Sequence, residues 1–161
     1  MNIEIVKADY HNKSQGEDLL RLLNAYALDP MGGGEPLSEF VQQNLLKTLV
    51  QQANVFTLLC YVNNQAAGFI NCVDGFSTFN CKPLLNIHDV AVLPEYRGLD
   101  LSGKMLNVVE EIAREKGCCK ITLEVLEGNK IAQNAYNKAG YAGYELDPIM
   151  GRAMFWQKKL L

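Results

Sequence analysis

The segment from His88 to Lys104, HDVAVLPEYRGLDLSGK, is where this sequence concentrates residues able to do chemistry. A β-branched apolar run ends at Leu93, Pro94 and the polar turn Glu95-Tyr96-Arg97-Gly98 close it, and a helical pattern starts at about Asp100. A tight turn between the end of a strand and the first turn of a helix suits an anion. The first amides of a helix have no acceptor inside it, and the aligned peptide dipoles favour a nearby negative charge by a fraction of a kcal/mol to about 2 kcal/mol. Arg97 strengthens that field. The amides of Gly98, Leu99, Asp100, Leu101, Ser102 and Gly103, with Lys104 beyond them, form a candidate phosphate cradle. His88, at the other end of the segment, has an unperturbed pKa of about 6.5 that suits proton removal at neutral pH; the alternative is a structural histidine satisfied by a backbone partner.

The same letters admit a nucleotide-hydrolysing loop, since Gly98, four residues, then Gly103 and Lys104 spell most of a Walker A motif. That spelling fails at Met105, where a hydroxyl is needed to hold magnesium, and no second acidic strand end completes such a site. The glycine run Gly32-Gly33-Gly34 is fed by no strand and reads as a hinge rather than a phosphate loop. Metal ligation has little to work with: two histidines, His11 and His88, lie far apart, and the five cysteines show no zinc-type spacing. Their odd number, with Cys118 beside Cys119, also argues against a disulfide framework.

The elements that must position the turn can be read from period and punctuation. Residues 2–7 read as a strand; a helix capped by Ser14 runs to about Leu28, where Asp29-Pro30 ends it; residues 31–36 form a flexible connection. Ser38 opens a second helix through about Gln52, with Phe40, Leu45 and Leu49 inward. Strands at 54–62 and 66–73 make a hairpin about Asn63-Asn64-Gln65, and a third strand covers about 84–93. The helix from about Asp100 to Lys116 carries Leu101, Met105, Val108, Val109 and Ile112 on one stripe and stops at Gly117. Then come a strand at 119–126, a helix at 130–139 closed by Gly140, and two short strands at 141–146 and 152–157. This order predicts a mixed α/β architecture: a central twisted sheet of about six to seven strands with about four helices on both faces, in one domain spanning 1–161.

The run Val90-Ala91-Val92-Leu93-Pro94-Glu95-Tyr96-Arg97-Gly98, followed by helix, strand, and then Asn129 with Ala132, Tyr136, Gly140 and Tyr141, resembles the GNAT acetyltransferases over about residues 66–146. The resemblance implies transfer of an acetyl group from acetyl-CoA to an amine, with no metal. In that family the signature is Arg or Gln, two residues, Gly, one residue, then Gly or Ala, and its amides hold the CoA pyrophosphate. Arg97 matches the first position, whereas Asp100 and Ser102 replace the small residues. By resemblance, the strand around Val90, Ala91 and Val92 offers its backbone to the pantetheine arm, while its valine side chains are ordinary core. Tyr136 stands where a tyrosine protonates the leaving thiolate, or else is a half-buried packing tyrosine; Asn129 either caps its helix or bonds the cofactor arm. His88 is the candidate base, two residues before Val90 and so on the same strand face as Val90 and Asn86, and His88-Asp89 is similar to the Glu-Asp pair of diamine acetyltransferases. Asp29, Glu35 and Asp74 either attract a cationic amine or are solvated surface carboxylates. The departure at Asp100 and Ser102 leaves a second reading open, a GNAT-like sensor or interaction module that binds CoA weakly.

Composition bounds the partners. With 15 basic against 18 acidic side chains, a net charge of −3 and no basic run interleaved with aromatics, nucleic acid is not an expected ligand. No apolar stretch approaches the ~18 residues of a membrane span, and the first residues lack a signal-peptide pattern, so the expectation is a cytoplasmic protein acting on a small-molecule amine. Similar proteins commonly form dimers, which makes a homodimer an expectation of the resemblance, although no exposed apolar helix in the pattern demands one.

Overall fold

Strand β1, Ile3–Lys7, pairs antiparallel with β2, Val55–Val62, which pairs antiparallel with β3, Gln65–Ser77. The computed structural model describes residues 1–160. The hairpin between β2 and β3 turns on Asn63 and Asn64, both at positive φ (48° and 64°), the conformation that matches the twist of two-residue hairpins and that asparagine tolerates. Strand β4, Lys82–Val92, pairs antiparallel with β3, and β5, Ile121–Leu123, lies parallel to β4 at the sheet edge. The order is β1-β2-β3-β4-β5, a mixed five-stranded sheet.

Helix α1, Lys13–Leu28, precedes β2 together with α2, Glu39–Leu49. Its cap is Asn12, whose side chain accepts from the Gln15 amide at 3.2 Å, rather than Ser14, which lies inside the first turn. The helix ends where expected because Pro30 forces Asp29 into an extended conformation (φ −65°, ψ 142°). The glycine run that follows is folded back rather than loose: Gly34 N donates to Ala27 O at 3.0 Å, and a Cβ on Gly32 would fall 1.9 Å from Tyr26 O. Ser38 caps α2 as predicted, and Leu49 packs on the core as expected, together with its neighbour Leu46, which meets α1 at Gly16; Phe40, however, is 73% exposed.

Helix α3, Leu101–Glu115, joins β4 to β5. The two faces of the sheet follow from its register. Leu59, Phe69 and Ala91 are cross-strand neighbours packed with Leu19 and Leu22 of α1, whereas the intervening Gly68, paired with Val92, lies against Met105 of α3 on the other face. Leu101, Met105, Leu106, Val109 and Ala113 of α3 are buried, which fits the predicted stripe except that Val108 and Ile112 lie at its margin.

Contacts group the chain into two compact units, Met1–Leu123 and Glu124–Leu161. The second contains α4, Lys130–Lys138, capped by Asn129 through the Ala132 amide (3.1 Å). The strands expected at 141–146 and 152–157 reduce to one bridge, Glu145 with Arg152, around a short turn at Pro148–Met150. A lone hairpin is marginal without a third strand and a buried face. Here Leu146, Met154, Phe155 and Trp156 are all exposed, so no core fixes the pairing, and the sheet has five strands among the described residues rather than six or seven. No described helix is long and apolar enough to cross a membrane.

Candidate functional site

The predicted turn forms where the sequence placed it. β4 stops at Val92, Pro94–Tyr96 make one turn of 3-10 helix, and Gly98 (φ 85°) swings the chain into α3. The first intrahelical bond is Lys104 N to Asp100 O (3.1 Å), so the amides of Leu101, Ser102 and Gly103 precede the helical ladder and point out of the helix mouth. Asp100 has a left-handed backbone (φ 56°, ψ 33°), which explains why glycine would be the natural residue there. Its carboxylate makes no capping hydrogen bond but leans over the first turn, since a Cβ on Gly103 would come within 2.6 Å of Asp100 Oδ1. The carboxylate and its charge therefore lie beside those amides.

Strand β4 loses its outer partner at this point. Pairing with β5 covers only Leu85, Asn86 and Ile87; from His88 to Val92 no described strand lies on that edge, while pairing with β3 continues to Val92. Along Val90, Ala91 and Val92 that edge therefore has no strand partner, although Val92 O accepts from Arg97 Nε, and the stretch leads directly to the turn at Arg97.

His88 marks the start of that stretch, for a reason the sequence did not reveal. Asn71 pairs with Asp89 and Cys72 with Ile87, so His88 is the extra residue of a β-bulge. The bulge breaks the alternation on which the expected shared face with Val90 rested: His88 is exposed, Val90 faces the α3 side, and Asn86 comes onto the same face as Asp89. Asn86 is used structurally, donating to Thr122 Oγ1 at 3.1 Å.

Asp89 instead belongs to a polar row across the sheet that sequence reasoning missed. Thr57, the only fully buried polar residue described, donates to Asn71 Oδ1 at 2.6 Å, and Asn71 Nδ2 donates to Asp89 Oδ2 at 2.9 Å. Since the Thr57 proton is committed, Tyr10 must donate to Thr57 Oγ1 (2.9 Å). Thr57, Asn71 and Asp89 are cross-strand partners, but that is visible only once the register is known.

On the α1 face, beside the end of β4, lies a cavity of about 230 Å³. Leu22, Ala25 and Tyr26 of α1 and Ala91, Leu93 and Pro94 wall it, with Asp29 and Arg97 among its lining. Burial, then the charges of Asp89 and Asp29, push the Tyr26 phenol above its ordinary range, so it stays a hydrogen-bond donor at neutral pH. Arg97 Nη2 meets Asp29 Oδ2 at 3.5 Å, and its Nε meets Val92 O at 3.4 Å.

In the C-terminal unit, Tyr136 is half-buried on α4, its ring edge-on to Tyr141 (centroids 6.1 Å apart). Asn129 serves as the cap of that helix, the first of the two roles open to it. Among the described residues no group of three His, Cys, Asp or Glu side chains could hold a metal ion.

Comparison with known proteins decides the family. A family model described as acetyltransferase (GNAT) family matches residues 19–141. The chain belongs to that family. Thialysine N-epsilon-acetyltransferase of Bos taurus is 41% identical to this GNAT chain over 54 residues, 34% of the chain and 32% of the relative. An uncharacterized N-acetyltransferase of Archaeoglobus fulgidus is 31% identical over 75 residues, 46% of the chain and 51% of the relative. The GNAT chain thus spans about a third to a half of the length of these curated relatives. Among solved structures, the aminoglycoside 6'-N-acetyltransferase AAC(6')-Ih of Acinetobacter baumannii superposes with a TM-score of 0.73 at 22% identity, covering 99% of both chains. AAC(6')-Iy, in complex with the bisubstrate analog CoA-S-monomethyl-acetylneamine, gives 0.75 at 18% identity, covering 99% of this chain and 100% of the other. At those identities the likeness establishes the GNAT fold.

Proposed function

We propose that the chain is an acetyl-CoA-dependent N-acetyltransferase acting on a primary amine of a small molecule by direct attack in a ternary complex. The observation that carries this is the continuity of the β4 edge that has no strand partner with the amides that precede the helical ladder of α3, because an extended, amide-rich arm ending in a diphosphate needs that pairing of features. Arg97, Gly98, Leu99, Asp100, Leu101, Ser102, Gly103 and Lys104 would hold the diphosphate of acetyl-CoA, and the backbone of Val90, Ala91 and Val92 the arm. The amine nitrogen must lose a proton as it bonds to the acyl carbon, and the departing thiolate must gain one. His88, exposed at the bulge, is proposed as the base and Tyr136 as the acid, with Asn129 positioning the helix that carries Tyr136. No step calls for a metal.

The reading extends to a cytoplasmic protein with no nucleic-acid or membrane partner, assembling as a homodimer. Five free cysteines, two of them buried, accord with a reducing compartment. The test is consumption of acetyl-CoA over a panel of small amines; turnover with at least one is expected, and none with any would remove the transferase reading.

One observation favours a second reading, in which the fold binds CoA only weakly as a sensor: the Asp100 carboxylate lies beside the amides that would grip the diphosphate. Screened repulsion of that kind is worth on the order of 1 kcal/mol. Asp100→Gly is therefore expected to tighten CoA about fivefold in calorimetry. Stability should barely move, because relief of the left-handed backbone is offset by glycine's greater chain entropy and by loss of a carboxylate at the helix N-terminus, each about 0.5–1 kcal/mol. Unchanged CoA affinity would clear Asp100 as an obstacle.

A further inference from the structure

The Asp29–Arg97 pair joins the end of α1 to the turn after β4, two elements with no other ionic link among the described residues. Asp29 is well held: its Oδ1 accepts from Met31 N at 2.9 Å, which fixes the carboxylate while leaving Oδ2 directed to Arg97. Arg97 is held loosely, with contacts of 3.4 and 3.5 Å and a side chain 56% exposed against 33% for Asp29. Both line the cavity of about 230 Å³, whose remaining wall is largely apolar apart from the Tyr26 phenol. The guanidinium is the one cationic group in that lining.

We infer that Asp29 is a recognition site for an ammonium group, covered by Arg97 and uncovered when Arg97 turns to an anion. The second half rests on the transferase reading, in which that anion is the CoA diphosphate. Arg97 cannot hold its best geometry with both partners, because the diphosphate is the stronger acceptor and the contact with Asp29 is long. Once the guanidinium leaves, Asp29 Oδ2 has no cation beside it in the lining, and a short aliphatic chain bearing a terminal ammonium meets both the charge and the largely apolar walls. Binding of the anion and of the cation must then reinforce each other, by the same factor in either order. The substrate class that fits is a small molecule with two amino groups, one held at Asp29 and the other free to react.

Calorimetric titration with cadaverine as probe separates the parts. The wild-type protein should bind cadaverine about threefold more tightly with CoA present, the size expected for release of one partly exposed ion pair. Arg97→Ala should reproduce that gain with no CoA, and Asp29→Asn, which keeps the oxygen that accepts from Met31 N, should weaken cadaverine about tenfold or more and abolish the coupling. Cadaverine affinity unmoved in Arg97→Ala, or undiminished in Asp29→Asn, overturns the site. Failure of the wild-type protein to bind CoA, with the Arg97→Ala gain intact, would sink the transferase reading and uphold the ammonium site. CoA binding with no loss of cadaverine in Asp29→Asn would do the reverse.

Discussion

Tyr136→Phe is expected to lower kcat for acetyl transfer by on the order of 100-fold while leaving the affinity for CoA unchanged, since a positioned general acid contributes about 10²–10⁴-fold to such a step. The phenylalanine keeps the ring and its edge-on contact with Tyr141, so the loss isolates the hydroxyl. Rapid-quench measurement of product formation at saturating acetyl-CoA reads the chemical step directly. Equal turnover in wild-type and variant would return Tyr136 to a packing role and leave the thiolate to be protonated by solvent. A parallel drop in CoA affinity would show that the hydroxyl serves binding rather than catalysis, because an interaction made equally in ground and transition states does not raise kcat.

Phe69→Ala should produce the largest loss of stability. Phe69 is fully buried in the cluster between the sheet and α1, with its ring 6.3 Å from that of Tyr26, and its cross-strand neighbours are Leu59 and Ala91. Truncating such a phenylalanine costs about 3–5 kcal/mol, a large share of the roughly 5–15 kcal/mol by which a domain is stable. Phe40→Ala, by contrast, should change stability by no more than about 0.5 kcal/mol, as expected for an exposed substitution. A denaturant midpoint lowered by a third or more in the first variant and unmoved in the second would match the core as described. Similar midpoints in both would mean that α1 does not pack on this face. Because Ala91 adjoins Phe69, the same truncation should also disturb the end of β4.

The turn at Arg97 was legible because Pro94, Gly98 and the stripe of α3 punctuate it within a few residues, and local signals suffice for local structure. The hairpin at Asn63-Asn64 was legible for the same reason. The bulge at His88 was not, because nothing in HDVAV distinguishes a regular strand from one with an inserted residue; only the register against Asn71 and Cys72 does so. That one insertion moved His88 off the face assigned to it and left Asp89 as the end of the polar row from Thr57. Phe40 misled for a related reason: a helical period finds an apolar stripe but not which of its members meets a partner, and here Leu46 and Leu49 do. The Asp29–Arg97 contact, 68 residues apart in sequence, lay beyond any local signal. The tail misled in the opposite direction, since alternating residues at 141–146 and 152–157 look like strands but acquire no buried face.

The proposed acetyl transfer depends on CoA binding to the amides at the mouth of α3 and along the β4 edge that has no strand partner. Nitrogen-labelled protein titrated with CoA and followed by amide NMR reads those groups one by one. Saturating shifts at Val90, Gly98, Leu101, Ser102 and Gly103, with little change along β1 and β2, are the predicted result. Saturable binding that leaves those five resonances in place, or no binding even after Asp100→Gly, would contradict it.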